Sequence, residues 1–190
     1  MIRVKRIIIS LILIITTLTS LYAQDTKSRD TLTVTPSLSY QHIFYSVQDY
    51  TDKDGFGPGL GLSYDHFFNP KTSVGAAVSI EHFIFKDFYH YTDLKAQATA
   101  KIRLFKFNSD SEDVGLFITL GAGCDFVFRN DADFGAYPLV NLGLEAVILN
   151  ERDVDAVIKT EVGLTRQNGS MVLQANIGAG IRFDLRETSK

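Results

Sequence analysis

Between Met171 and Leu185 the chain alternates. Met171, Leu173, Ala175, Ile177, Ala179, Ile181, Phe183 and Leu185 are apolar, while Gln174, Asn176, Gly178, Gly180, Arg182 and Asp184 are polar or glycine. Successive side chains of a strand leave opposite sides of the backbone, so this alternation predicts a β-strand with one dry and one polar face. Seven earlier stretches, at about 32–44, 57–68, 74–84, 94–104, 114–129, 138–148 and 154–165, repeat the pattern. Asn69-Pro70-Lys71 and Asn168-Gly169 between them are turn and hairpin signals. Pro36 removes one ladder donor from the first strand, so pairing there is expected to be bulged or marginal. No segment has a helical period. Each strand is long enough to cross a bilayer at a tilt, which takes ~9–11 residues. The pattern predicts an all-β chain: an eight-stranded antiparallel up-and-down transmembrane β-barrel.

The same alternation turned inside out would give a soluble barrel with an apolar lumen. Three features favour lipid outside. The dry parity carries no Asp, Glu, Lys or Arg within the eight predicted strands, as lipid requires when a midplane charge costs ~2–4 kcal/mol. Glycines, among them Gly59, Gly61, Gly75, Gly121, Gly123, Gly143, Gly178 and Gly180, share the polar parity, where a narrow lumen would need space for long partners. The polar parity also balances its charges. Asp65, Glu81, Asp125, Glu145, Asp155, Glu161 and Asp184 stand against Lys95, Lys101, Arg103, Arg129, Lys159 and Arg182. Charges taken out of water must be paired, so an internal ion-pair network is expected. Phe117, Val127, Leu139, Val147 and Leu149 are apolar exceptions on this side, and the strand at 138–148 alternates least cleanly.

The chain's first residues read differently. Arg3, Lys5 and Arg6 precede a mostly apolar run over 7–18, and Leu21-Tyr22-Ala23 offers a small residue at a cleavage position. Residues 1–23 therefore read as a secretory signal peptide, 24–30 as a flexible lead, 31–186 as the barrel and 187–190 as a short tail. The run is short for a membrane-spanning helix, and no later run reaches that length. One cysteine, Cys124, allows no intramolecular disulfide, and a net charge of −3 gives no argument for nucleic acid.

With signal peptide, strand count and Phe183 near the end of the last strand, the chain over about 31–185 resembles the small eight-stranded outer-membrane barrels of the OmpA/OmpX type. That resemblance implies residence in the outer membrane of a Gram-negative bacterium, contact with its lipid, and insertion by the barrel-assembly machinery, which recognises C-terminal aromatics. Here Phe183 is followed by seven residues. The resemblance carries no functional residues. An even strand number puts both termini in the periplasm and the first, third, fifth and seventh loops outside. Two aromatic girdles are then expected. The outer one holds Phe44, Tyr45, Phe85, Phe88, Tyr89, Tyr91, Phe126, Phe128, Phe134 and Tyr137. The inner one holds Tyr64, Phe67, Phe68, Phe105, Phe107 and Phe183.

Candidate chemistry is sparse. His42, His66 and His82 fall on the lipid-facing parity, where a histidine base beside a hydroxyl nucleophile would make a lipid-modifying enzyme of the lipid A deacylase kind. No serine accompanies His42 or His82 on that face, and Thr160 is the only hydroxyl well inside a strand there. The histidines are therefore read as amphipathic girdle residues. Glu81 and His82 are adjacent and point to opposite faces. Asp49, Asp52 and Asp54 lack the terminal glutamate of a calcium loop, and Gly178-Ala179-Gly180 is followed by no helix, so it is no phosphate loop. No catalytic, cofactor-binding or metal-ligating set is assigned, and a non-enzymatic chain is expected. The function expected is a structural or interaction barrel with a plugged, charge-paired lumen, meeting protein or surface ligands through its exterior loops. A lipid-modifying enzyme and a soluble ligand-binding barrel are the alternatives.

Overall fold

A computed structural model describes residues 28–44, 54–86, 90–107, 114–129, 134–151, 154–167 and 170–185. It forms eight strands: β1 (Arg29–Ile43), β2 (Asp54–Asn69), β3 (Thr72–Phe85), β4 (His90–Lys106), β5 (Gly115–Arg129), β6 (Phe134–Glu151), β7 (Val154–Gln167) and β8 (Ser170–Asp184). Each pairs antiparallel with its sequence neighbours, and β8 closes on β1. The residues expected to form a signal peptide and a tail lie outside the described residues.

The two faces settle the choice between a membrane barrel and a soluble one. Leu60, Leu62, Ile80, Leu120, Leu142, Val162 and Ile177 point outward and are exposed, while Asp65, Asp125, Glu145, Lys101 and Arg182 point inward and are fully buried. In water this arrangement would desolvate charge and leave hydrocarbon wet, the reverse of what drives folding. In lipid it is the stable arrangement. The barrel is a transmembrane one.

The strands are longer than the alternation predicts, and their extra residues change three assignments. Asp30, Asp54 and Arg166 sit within strands on the outward parity, so that face is not free of charge. All three lie at strand ends, where a side chain reaches the polar interface. Tyr91, expected in a loop, lies in β4 facing the lumen. Phe67 and Phe85, expected in the girdles, are also buried inside the barrel. Phe44, Phe128, Phe134, Phe105, Phe107 and Phe183 are exposed on the wall as girdle residues should be. Tyr45, Phe88 and Tyr89 lie outside the described residues.

Pro36 disturbs only one of its neighbours. The β1–β2 register runs unbroken through Pro36 opposite Leu60, whereas the β1–β8 register is interrupted between Val34 and Ser37. The missing N–H therefore faces β8, at the closing seam. Gly180 lies beside this gap. A Cβ there would stand 2.2 Å from the Val34 carbonyl oxygen, so the seam can close only on a residue without one. Gly121 serves the role expected of lumen glycines, since its Cβ would meet the Asn141 side chain at 1.9 Å. Gly178 and Gly180 instead make room for the β1 backbone and Thr35, not for long side chains from neighbouring strands.

Candidate functional site

Two places could carry chemistry, the lumen and the polar groups on the outer wall. The lumen is filled in layers. At the end carrying both termini, Phe67, Phe117, Val147 and Val157 form an apolar plug. Phe67 and Phe117 meet edge to face at 6.0 Å, and the Arg29 guanidinium lies 5.1 Å from the Phe67 ring centre. At the opposite, loop end, Phe83, Phe85, Tyr91 and Val127 make a second plug with Ile43 and Tyr137 against it. Phe117, Val127 and Val147, which break the alternation, are therefore the residues that close the barrel. Leu139 is likewise buried inside.

Between the plugs lie the charges. Lys101 Nζ stands 2.8 Å from Asp65 Oδ2 and donates to Glu145 Oε2 at 2.6 Å, with all three groups buried. This joins β4 to β2 and β6, neither of which is its neighbour in the wall. Arg182 Nε donates to Asp155 Oδ2 at 2.6 Å. Lys159 pairs with Glu161 at 2.8 Å, and Lys95 donates to Glu81 at 2.7 Å. Asp184 pairs with Arg29 at 3.9 Å. The expected network exists. It has a member that alternation over the shorter strands leaves out: Asp93, assigned to a loop, faces the lumen. Gln174 Nε2 donates to Asp93 at 2.7 Å and to Asp125 at 3.2 Å, tying β8 to β4 and β5. Near mid-lumen a cavity of about 30 Å³ is bordered by Thr35, Ser37, Gln97, Lys159, Glu161 and Asn176. That volume suits a water or two, not a solute.

Among the described residues the outer wall carries three polar constellations. Tyr40 Oη donates to Asp54 Oδ1 at 2.5 Å, and His42 Nδ1 lies 2.7 Å from the same oxygen. At the other end Tyr64 Oη donates to Asp30 Oδ1 at 2.8 Å, with His66 Nδ1 at 2.7 Å. The third pairs His82 Nδ1 with Thr92 Oγ1 at 3.0 Å, with the His90 ring 5.4 Å away. Thr92 faces His82 in register across β3 and β4. No serine lies there, but a threonine hydroxyl accompanies His82 on the dry face, because β4 starts at His90. Thr160 is outward and exposed opposite Ile177, apart from any histidine. Glu81 points inward while its neighbour His82 points outward. Asp54 is a strand residue, while Asp49 and Asp52 lie outside the described residues. Among the described residues no three His, Cys, Asp or Glu side chains form a metal-ligating group, and Cys124 is exposed on the lipid-facing wall.

A closed antiparallel barrel of eight strands, apolar without and charged within, decides the architecture. The chain has the fold of the small eight-stranded outer-membrane barrels. Solved members of that fold superpose over most of their length. Neisserial surface protein A matches with TM-score 0.52 at 14% identity, over 80% of this chain and 96% of that one. AlkL, an outer membrane protein solved in lipid bilayers, matches with TM-score 0.50 at 9% identity, over 87% and 93%. Ail of Yersinia pestis gives 0.49 at 16% identity, over 83% and 100%. No family model matches the sequence, and the search of curated proteins found no match.

Proposed function

We propose that the protein is an integral barrel of a Gram-negative outer membrane, exported by its first 23 residues, and that it works as a structural or interaction protein through its loop end. It meets lipid along its wall, the barrel-assembly machinery during insertion, and protein or surface ligands at the loops. The observation that carries this reading is the filled lumen. Among the described residues, two apolar plugs stand at the ends of the lumen with a cavity of about 30 Å³ between them. The parts free to act are the wall and its rims. Cell fractionation tests the location, and recovery in the soluble fraction overturns it. Planar bilayers test the plug: negligible conductance is expected, and steady large channels overturn it.

A second reading rests on His82 and Thr92. A hydroxyl 3.0 Å from an imidazole on the lipid face is the pairing that a lipid-modifying enzyme would need. Mass spectra of lipid A from cells with and without the protein test it. Identical acylation eliminates deacylation, and a difference that Thr92→Val abolishes establishes it.

A further inference from the structure

The first two strands contain a duplicated motif. Asp30, Leu38, Ser39, Tyr40, His42 and Phe44 recur as Asp54, Leu62, Ser63, Tyr64, His66 and Phe68, at one constant offset. Antiparallel pairing of β1 with β2 sets His42 opposite Asp54 and Asp30 opposite His66. Each aspartate is therefore held by the tyrosine and histidine of the other copy, and a local pseudo-twofold axis through the wall relates the two clusters. The histidine rings are backed alike, His42 edge-on to Phe44 at 4.7 Å and His66 edge-on to Phe68 at 5.0 Å.

The depth of the clusters identifies their surroundings. Asp30 and His42 lie on the same face of β1, twelve residues apart. At ~3.4 Å per residue they are separated by ~40 Å along the strand. A tilt of ~35–45° reduces this to roughly 30 Å along the membrane normal, the thickness of a hydrocarbon core. One cluster thus stands at each border between acyl chains and headgroups, facing lipid. In both, Oδ1 receives the tyrosine and histidine, while Oδ2 takes no hydrogen bond from a described residue. The carboxylates are half exposed, 56% for Asp54 and 41% for Asp30. A fixed anion with one open oxygen, set among headgroups, complements a cation that can donate a hydrogen bond.

We propose that the Asp30 and Asp54 clusters are twin lipid sites, each binding a lipid headgroup that carries a primary ammonium through its open carboxylate oxygen, with phosphatidylethanolamine as the probe for both. This rests on the membrane location proposed above. The N–H donors decide the lipid. A trimethylated choline headgroup carries the same charge and cannot donate to Oδ2, and the sites offer a single carboxylate edge instead of a closed aromatic cage.

The mature protein, folded into nanodiscs of equal phosphatidylethanolamine and phosphatidylcholine, is released and its bound lipids are counted by native mass spectrometry. Two ethanolamine lipids are expected, at about tenfold preference over choline. D30N and D54N should each retain one, and the double variant none above the choline level. Equal retention of both lipids by the parent protein overturns the proposal, as does a double variant that keeps two ethanolamine lipids. Faster, compact migration of unheated samples reports folding independently. If D30N fails to fold, Y64F keeps the carboxylate, and unaltered retention in Y64F together with Y40F overturns the oriented-carboxylate geometry. A protein that inserts yet shows no preference disproves the sites alone, whereas failure to fractionate with membranes disproves the location.

Discussion

Replacing Lys101 by methionine should be the most destabilising single change of charge in the barrel. The ammonium is 1% exposed, 2.8 Å from Asp65 and 2.6 Å from Glu145, whose side chains are fully buried. Methionine keeps most of the aliphatic stem, so the change removes charge with little loss of packing. Two carboxylates then share a dry site without a counter-ion, and breaking one buried pair already costs ~3–5 kcal/mol. The expected loss is therefore ~3 kcal/mol or more. The triple variant K101M/D65N/E145Q removes all three charges at similar volume and should lie within about 1–2 kcal/mol of the parent. Urea titrations in lipid vesicles, read by the mobility of unheated samples, give these differences. A K101M protein within about 1 kcal/mol of the parent would refute the reasoning, as would a triple variant no more stable than K101M.

Truncating the loop-end plug with F83A and Y91A together should cost several kcal/mol, since each buried aromatic truncation removes ~3–5 kcal/mol; planar-bilayer recordings should still show little current, because the second plug at Phe67 and Phe117 remains. Adding F67A and F117A should raise conductance, and no change would mean that the charged layer alone seals the lumen. Ile177→Arg, in the middle of the outer wall, should destabilise by ~2–4 kcal/mol in lipid, whereas Leu185→Arg at the rim should cost ~0–1 kcal/mol; equal penalties in urea titration would put the membrane elsewhere on the barrel. Gly180→Val should abolish folding into vesicles, because its Cβ would collide with the Val34 carbonyl at the closing seam; a folded, heat-modifiable variant would show that the seam can open.

Most of the fold could be read from parity. Charge decides which face is wet, and lipid tolerates so little charge that eight strands all give the same answer. Strand ends were less legible, because near the rims both faces turn polar or aromatic and the alternation loses its contrast. Three aromatics and Asp93 are misplaced for this reason. Phe67 follows Asp65 by two positions, Phe85 follows Glu81 by four, and Tyr91 precedes Asp93 by two, so each shares the lumen parity of a buried acid. Carrying the alternation outward from those acids would have put the three aromatics in the plugs and brought Asp93 into the lumen with them. Thr92 would then have appeared beside His82 on the wall.

Partners across the lumen were beyond reach of the pattern. Parity states that Lys101 is inside, yet its pairing with Asp65 and Glu145 depends on the tilt and stagger with which β8 closes on β1, quantities that no single strand encodes. The wall clusters are of the opposite kind. Asp30, Tyr64 and His66 lie on adjacent strands, and the duplicated motif alone fixes their pairing once β1 and β2 are known to be a hairpin. The lumen ties hold the barrel shut and are shielded at both ends from anything outside. Among the described residues, the polar groups that meet the surroundings on this wall are concentrated at the two rims of the first hairpin and beside His82.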